Sequence, residues 1–409
     1  MKKAFYMMAA AAIALSSCSS EETTDVAKSS SITFRTSVGL NSRGTATTTE
    51  NLHNIWVSAF YKSTGQSAFD DVKFINNGGT STSFFDEDNN HYWGKNKTYR
   101  FVAIAPVKTD WSATSTIGKD EVTFTGVSPK TAIPDQQDLV IGSADGSEES
   151  NATSGVKLDL KHVLSQIQIK AFNRNPNLIY TIRGIRISTV ATSGDLKYTT
   201  ESGDIAWTKN SAALSNTGAV AKTDRYDYIF KNEVKLGTDG TVKDLTEECG
   251  GAMLLPQSLT SWNGQVVTGD DPVEGAYISL LLSVKNKKGV YTYPVDATMD
   301  EHCGWAAVAI PAISWKAGSK YVYTLNMSAG CGKVDPVDPN EDGKDYVKPG
   351  TENKDPNKGD KIFGALIKFT VNVLPWTDKN GKVETDPDYN DKEEITGKFS
   401  IEVQKSEGF

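Results

Sequence analysis

Short runs that alternate between apolar and polar side chains are the feature that most constrains this chain. In residues 32–38, Ile32, Phe34, Thr36 and Val38 alternate with polar residues. A period of two is typical of a strand with one buried face. Similar runs recur between turn clusters, and no amphipathic helix of twelve or more residues is evident. The pattern predicts an all-β protein built from β-sandwiches.

The predicted strands fall into two groups, separated by a Ser/Gly/Glu-rich stretch at 143–155. Those before this stretch are 32–38, 55–61, 99–105, 122–124 and 139–141. Those after it begin with the alternating residues 156–160 and the pair Ile167 and Ile169, and continue at 179–189, 226–230, 253–255, 276–284, 290–295, 305–310, 321–327 and 366–374. We therefore predict an N-terminal domain at 31–150 and a C-terminal domain at 155–376, with an insert at 333–361 that is too polar to form a core.

Length and charge exclude two classes of protein. The chain has 409 residues, enough for two or three domains with real cores, and its formal net charge is −8. An acidic balance without a Lys/Arg-rich stripe argues against nucleic-acid binding. After the first residues, no stretch reaches the roughly 18 uninterrupted apolar residues of a membrane-spanning helix.

The N-terminus has the features of an export signal. Lys2 and Lys3 precede a short apolar run, and small residues lead to Cys18. This order predicts a signal peptide at 1–17 and a flexible tether at 18–30. Residues 15–18 also resemble the lipobox of bacterial lipoproteins, and residues 19–22 resemble the acidic surface-export tag of such proteins. These resemblances imply acylation of Cys18 and a mature outer-membrane lipoprotein at the cell surface. The alternative is an ordinary signal peptide in which Cys18 is incidental.

The remaining cysteines and one acidic loop give no clear site. Cys249, Cys303 and Cys331 have no metal-binding spacing; they form either one disulfide, such as Cys303–Cys331, or three buried thiols. Residues 338–343 begin like a calcium loop, with Asp338, Asn340 and Asp342 at alternate positions. The twelfth position is Pro349 rather than glutamate, so an acidic linker is the alternative to this weak metal candidate.

No motif for catalysis or cofactor binding is present. The chain lacks phosphate-binding glycine loops, a zinc-protease motif and a nucleophile elbow, and its histidines share no ligand spacing. We predict a non-enzymatic protein without a cofactor. Trp93, Trp111 and Trp262 leave one alternative function, a surface lipoprotein that binds glycans by aromatic stacking, although core packing explains the same residues.

Several motifs occur in a fixed order along the chain. They are the lipobox at Cys18, the strand at 32–38, the break at 43–45, Tyr92-Trp93-Gly94 with the run 99–106, the run 158–165 and the closing run 369–376. In this order they resemble the fimbrillin family, the lipoprotein-exported subunits of type V pili. The resemblance implies two tandem transthyretin-like β-sandwich domains, trimming by a trypsin-like surface protease, and polymerisation with other fimbrial subunits by strand exchange.

Processing is predicted to remove the first strand. Residues 32–38 supply Ile32, Phe34 and Val38 to the first sandwich, and the flexible small-residue stretch that follows contains Arg43 and Gly44. We expect an arginine-specific protease to cut between these two residues. If the strand lies at the edge of the sandwich, its loss leaves unpaired backbone groups beside an apolar groove. The alternative is a permanent strand followed by a solvated Arg43.

The C-terminus supplies a candidate replacement strand. Residues 377–409 form a charged tether in which Phe399, Ile401 and Val403 alternate with polar residues. The tether 378–394 reaches at most about 55–60 Å, far enough to leave its own subunit. A strand folded back on its own sheet and an unstructured tail are the alternatives.

Overall fold

The computed structural model describes residues 30–38, 47–48, 51–76, 83–88, 90–106, 114–209, 225–264, 273–295, 303–337 and 356–376. The strands of the first half are β1 (Thr33–Val38), β2 (Asn54–Tyr61), β3 (Ser67–Ile75), β4 (Ser83–Asp86), β5 (Thr98–Ala105), β6 (Thr114–Ile117), β7 (Glu121–Val127), β8 (Val140–Ser147) and β9 (Val156–His162). One short helix, α1 (Glu148–Asn151), and a 3-10 turn at Ile133–Asp135 accompany them.

The second half is also built from strands. They are β10 (Ser165–Phe172), β11 (Leu178–Ser188), β12 (Gly194–Thr199), β13 (Asp204–Lys209), β14 (Arg225–Leu236), β15 (Lys243–Asp244), β16 (Ala252–Leu254), β17 (Gln257–Ser258), β18 (Tyr277–Asn286), β19 (Tyr291–Tyr293), β20 (Gly304–Ala309), β21 (Ser314–Trp315), β22 (Ser319–Asn326), β23 (Lys333–Val334) and β24 (Lys368–Pro375). The predicted all-β class is confirmed.

Seven strands of the first half close into a barrel in the order β1-β4-β3-β2-β5-β8-β9. Closure depends on β1, which pairs with β4 on one side and with β9 on the other. The strands alternate as their sequences predict: in β9, Val156, Leu158 and Leu160 are buried while the lysines and aspartate between them are exposed. The inward residues form one continuous core.

The second half contains two sheets that face each other as a β-sandwich. One has the order β14-β11-β18-β20-β23, with β19 on β18, and the other has the order β15-β10-β22-β24, with β16 on β10. Ile182 and Leu280 from the first sheet share a core with Ile169 and Tyr323 from the second. Because both sheets contribute buried side chains to this layer, burial of their apolar faces holds them together.

A further sheet joins strands from both halves of the chain. Its order is β13-β12-β7-β6, and it lies against the outside of the barrel. Strand β5 explains the contact: Phe101 and Ala103 point into the barrel, while Val102 and Ile104 pack in the outer core. An apolar run with both faces buried is therefore required at this position.

Arg100 ties this outer sheet to the barrel. The Arg100 side chain is buried, pairs with Asp145 on β8 and with Glu201 beyond β12, and donates to Thr200 Oγ1 at 3.0 Å. Lys62 pairs with the same Asp145. Two carboxylates and a hydroxyl therefore satisfy a cation that would be costly to bury alone.

The structure differs from the predicted strands in several places. Strand β8 continues to Ser147, into the stretch predicted to separate the domains, and β9 pairs with β8 and β1 although it follows that stretch. The division at 150–155 stays a prediction.

The prediction that residues 333–361 are too polar to join a core is wrong at the start of this range. Val334 and Asp335 are buried, and Asp335 accepts a hydrogen bond of 2.6 Å from Ser279 Oγ.

No helix among the described residues is long and apolar enough to cross a membrane.

Candidate functional site

Strand β1 is paired with β9 over most of its length and with β4 over its first half. It runs parallel to β9, with Phe34 opposite Val156 and Val38 opposite Leu160, and antiparallel to β4 from Thr33 to Arg35. The expectation of an edge strand is therefore wrong: β1 lies between two strands because it closes the barrel. Removing it would expose backbone donors and acceptors on two neighbours, not on one.

The inward side chains of β1 are fully packed. Ile32, Phe34 and Val38 are 2%, 0% and 1% exposed. The Phe34 ring meets Phe74 edge-on, with centroids 4.8 Å apart and planes at 85°, and Phe101 at 5.1 Å and 80°. These geometries suit the positive edge and negative face of aromatic rings, so the Phe34 pocket favours an aromatic side chain.

Gly146 on β8 helps to make room for this pocket. A Cβ atom placed on Gly146 would lie 2.9 Å from Val156 Cγ2 and 3.1 Å from Phe101 Cε2. Both neighbours touch the space around β1: Val156 is the register partner of Phe34, and Phe101 packs on its ring. A glycine is required there because any larger residue would push these side chains into the pocket.

Thr36 is the poorest fit on the inward face of β1. It is 5% exposed, and among the described residues its hydroxyl oxygen has no hydrogen-bond partner. A buried hydroxyl without a partner loses its bonds to water and gains none in return. The outward residues differ: Arg35 is exposed, and Ser37 hydrogen-bonds to Asp159 on β9.

A loop between β4 and β5 holds the beginning of β1. The Ile32 N–H donates to the His91 carbonyl and the Trp93 N–H donates to the Ser30 carbonyl, each at 3.0 Å. The loop is braced by Asp86, whose Oδ2 lies 2.7 Å from His91 Nδ1. Burial raises the pKa of Asp86, but hydrogen bonds from His91 and from backbone N–H groups of the loop outweigh it and hold that pKa below its usual value.

Thr47, which follows the predicted cleavage site, is held by a cluster that includes Asp138 and His162. The Thr47 N–H donates to Asp138 Oδ2 at 3.0 Å, and the same oxygen lies 2.6 Å from His162 Nδ1. His162 also stacks on Trp376. The segments that follow the predicted cleavage site and precede the C-terminal tail therefore meet at one place.

Most predicted site residues lie outside the described residues. These are the lipidation site Cys18, the cleavage residues Arg43 and Gly44, the candidate calcium residues Asp338, Asn340 and Asp342, and the candidate donor residues Phe399, Ile401 and Val403. Within the described residues, no group of three or more His, Cys, Asp or Glu side chains is placed to hold a metal ion.

Three of the cysteines and two of the tryptophans considered as site residues lie in the core. Cys249, Cys303 and Cys331 are buried thiols, and burial raises the pKa of Cys249 to about 11. Trp93 and Trp262 are 2% and 4% exposed, and Trp111 lies outside the described residues. The interpretation of Trp93 and Trp262 as a stacking surface for glycans is therefore wrong, because neither ring is accessible to a sugar.

The fimbrillin-like family matches residues 42–340, most of the chain. The chain belongs to this family. A fimbrillin-like protein is a structural, non-enzymatic pilus subunit of the cell surface that assembles with other fimbrial subunits. No curated protein matches the sequence.

The chain is also similar to several solved structures from Bacteroides species. A fimbrial protein from Bacteroides vulgatus ATCC 8482 is 16% identical, with a TM-score of 0.49, over 84% of this chain and 99% of its own. A candidate cell-adhesion protein from Bacteroides ovatus ATCC 8483 is 13% identical, with a TM-score of 0.43, over 86% and 99%. One from Bacteroides uniformis ATCC 8492 is 14% identical, with a TM-score of 0.42, over the same shares.

Proposed function

We propose that this fimbrillin-like subunit is exported as a lipoprotein acylated on Cys18, cut by an arginine-specific surface protease between Arg43 and Gly44, and polymerised by donor-strand exchange. The order of these sites has a physical consequence. The lipid and β1 both precede the cut, so one cleavage separates the body of the subunit from its outer-membrane anchor and from its first strand.

The position of β1 is the observation that carries this proposal. β1 lies between β4 and β9, and its loss opens the barrel along both ladders. Refilling the gap restores backbone hydrogen bonds on two sides. It also returns apolar side chains to the space left by Phe34 and Val38, each of which contributes about 1.5–3 kcal/mol when fully buried.

Before cleavage, β1 keeps the subunit inactive because it is tied to its own groove. A strand that is covalently joined to its own subunit has a very high effective concentration at its site, and a strand from another molecule cannot compete with it. Cutting the chain between Arg43 and Gly44 turns β1 into a separate peptide that dilutes away once it leaves. Arg35 is a poor substrate for the same protease, because the backbone around it is paired with β4 and β9.

The replacement strand is the C-terminal tail with Phe399, Ile401 and Val403. The tail follows Trp376, which is packed at the barrel beside His162. A tail that begins at a fixed point on one subunit and fills the groove of the next would link subunits head to tail and give an open filament.

Immunoblots of unboiled surface material test this proposal. Cells producing the wild-type protein or the control Arg35→Ala should show a ladder of SDS-resistant multimers. Arg43→Ala, an inhibitor of arginine-specific proteases, and deletion of residues 395–409 should each leave a folded monomer. A ladder formed by Arg43→Ala would overturn the cleavage step, and a ladder formed by the truncated chain would overturn the assignment of the donor.

A further inference from the structure

We infer that the β1 groove selects the tail of a second copy of this chain in one register and one direction, with Phe399 in place of Phe34, Ile401 in place of Thr36 and Val403 in place of Val38. This inference rests on the proposed strand exchange and adds to it the identity of the partner. Each subunit then accepts the tail of one copy of the same chain and donates its own tail to another copy, and such subunits form the repeating part of a filament.

The two segments share one pattern. Residues 34–38 read Phe-Arg-Thr-Ser-Val, and residues 399–403 read Phe-Ser-Ile-Glu-Val. In both, an aromatic residue, a β-branched residue and a valine follow one another at a spacing of two. Successive side chains of a strand point to opposite faces, so all three donor residues would face the barrel core together.

Other registers place unsuitable residues in the core. Moving the donor by one residue turns Ser400 and Glu402 inward. Placing Phe399 at the position of Ile32 brings Lys405 to the position of Val38, which is 1% exposed. Placing Phe399 at the position of Thr36 leaves Gly397 in the space between Phe74 and Phe101, where nothing would fill the Phe34 pocket.

The backbone hydrogen-bonding patterns of β4 and β9 favour a donor strand that runs in the same direction as β1. β9 forms parallel pairs with β1, whose hydrogen bonds are slanted and evenly spaced, while β4 forms antiparallel pairs with perpendicular bonds. A donor that runs like β1 reuses both sets of backbone groups as they stand. A reversed donor would have to rebuild both ladders with the other geometry.

Thr36 favours replacement of β1 by the donor strand. Its hydroxyl oxygen is buried without a hydrogen-bond partner among the described residues, and the proposed register puts the wholly apolar side chain of Ile401 in its place. The incoming strand therefore fits this position better than the strand it replaces. β1 is good enough to close the barrel before cleavage but is at a disadvantage once it is a separate peptide.

At the positions of Ile32, Arg35 and Ser37, replacing β1 by the donor is less favourable or has little effect. Gly397 would lie at the position of Ile32 and leave part of its pocket empty. On the outward face, Ser400 would remove Arg35 from beside Lys157, while Glu402 would come beside Asp159. The first change removes a pair of like charges and the second creates one, so the two offset each other and the core residues decide the register.

Cysteine cross-linking between two populations of full-length subunits tests the register. One population carries Asp159→Cys on β9, and the other carries a single outward-facing cysteine in the tail: Thr396→Cys, Ser400→Cys, Glu402→Cys or Gln404→Cys. The populations are mixed, cut with an arginine-specific protease and oxidised. Because each copy has only one introduced thiol, every covalent dimer joins two molecules. The native thiols Cys249, Cys303 and Cys331 are buried and do not compete, and cleavage after Arg43 removes Cys18.

We expect a covalent dimer with Glu402→Cys, the residue that would take the position of Ser37 opposite Asp159, and its loss with the other three variants. A dimer with Ser400→Cys or Gln404→Cys instead would show a shifted register, and one with Thr396→Cys a reversed strand. An unboiled ladder without any covalent dimer would show that another segment fills the groove. Each of these results overturns the inference, whereas absence of the ladder itself overturns the proposed strand exchange.

Discussion

The imidazole ring of His162 lies flat against the indole ring of Trp376, with centroids 4.0 Å apart and planes 3° apart. His162 ends β9, the strand that pairs with β1, and Trp376 is the last described residue before the tail. The stack therefore joins the proposed acceptor groove to the base of the proposed donor. In a filament, tension would pass through this contact from the acceptor groove of a subunit to the donor tail of the same subunit.

Replacing Trp376 tests how much this stack contributes. Trp376 is 3% exposed, and we expect Trp376→Ala to lower the free energy of unfolding by about 3–5 kcal/mol, as loss of a buried aromatic side chain usually does. Trp376→Phe keeps a ring on His162 and should lose much less. Urea unfolding of the uncut subunit measures both. A loss below about 1 kcal/mol in Trp376→Ala would show that the stack is not a structural anchor.

Thr36→Val tests the imperfect fit of β1. The substitution keeps the shape of the side chain and removes its unpartnered hydroxyl, which costs about 1–3 kcal/mol when buried. The uncut subunit should become about 1 kcal/mol more stable, and polymerisation after cleavage should begin later. Ser37→Ala, which removes a hydrogen bond on the outward face, is the control and should not delay polymerisation. An unchanged lag with Thr36→Val would show that this position does not govern exchange.

Gly397→Ile should strengthen the polymer. In the proposed register this residue takes the position of Ile32, so an isoleucine there would fill the pocket that glycine leaves empty. The matched control is Lys398→Ile, which adds the same side chain and strand propensity on the outward face. We expect the temperature at which the SDS-resistant ladder dissolves to rise for Gly397→Ile and not for Lys398→Ile. Equal effects would argue against this placement of Gly397.

The strands themselves could be predicted from the sequence because their alternation is local. β1 and β9 follow a period of two, and the structure places both where the pattern indicates. β3 (Ser67–Ile75) was not predicted, because its side chains are mostly half-buried and its sequence lacks a clear alternation. Burial of this kind depends on neighbouring strands, which no short window of sequence contains.

The pairing of the strands could not be predicted in the same way. Phe34 and Val156 are far apart in the chain yet lie opposite each other, and this pairing moves β1 from an expected edge to the closure of a barrel. The unpartnered hydroxyl of Thr36 and the contact between His162 and Trp376 depend on such long-range packing. The sequence shows which residues alternate, but only the fold shows which of them meet.

Asp145→Asn should change how stability depends on pH. Burial raises the pKa of Asp145, but hydrogen bonds from Arg100 and Lys62 outweigh it, so the pKa is lower in the folded state than in the unfolded chain. The contribution of this carboxylate to stability is therefore fully present above about pH 4, the pKa of the unfolded carboxyl, and is lost as the pH falls below that value toward the lower folded-state pKa.

Unfolding by urea between neutral pH and about pH 3 measures this effect. The wild-type protein should lose more stability on acidification than Asp145→Asn, which has no carboxylate to protonate. Parallel curves for the two proteins would show that the pairing with Arg100 and Lys62 does not contribute to the acid sensitivity of the barrel.

The mass of the subunit in purified filaments tests the central claim most directly. Filaments are dissolved by boiling, and the N-terminal peptide of the subunit is identified by mass spectrometry. If β1 is removed and replaced, the chain begins at Gly44 and contains no peptide from residues 30–38. A polymerised chain that begins at an acylated Cys18 and keeps Phe34 would contradict the account, because its groove would still be filled by its own strand.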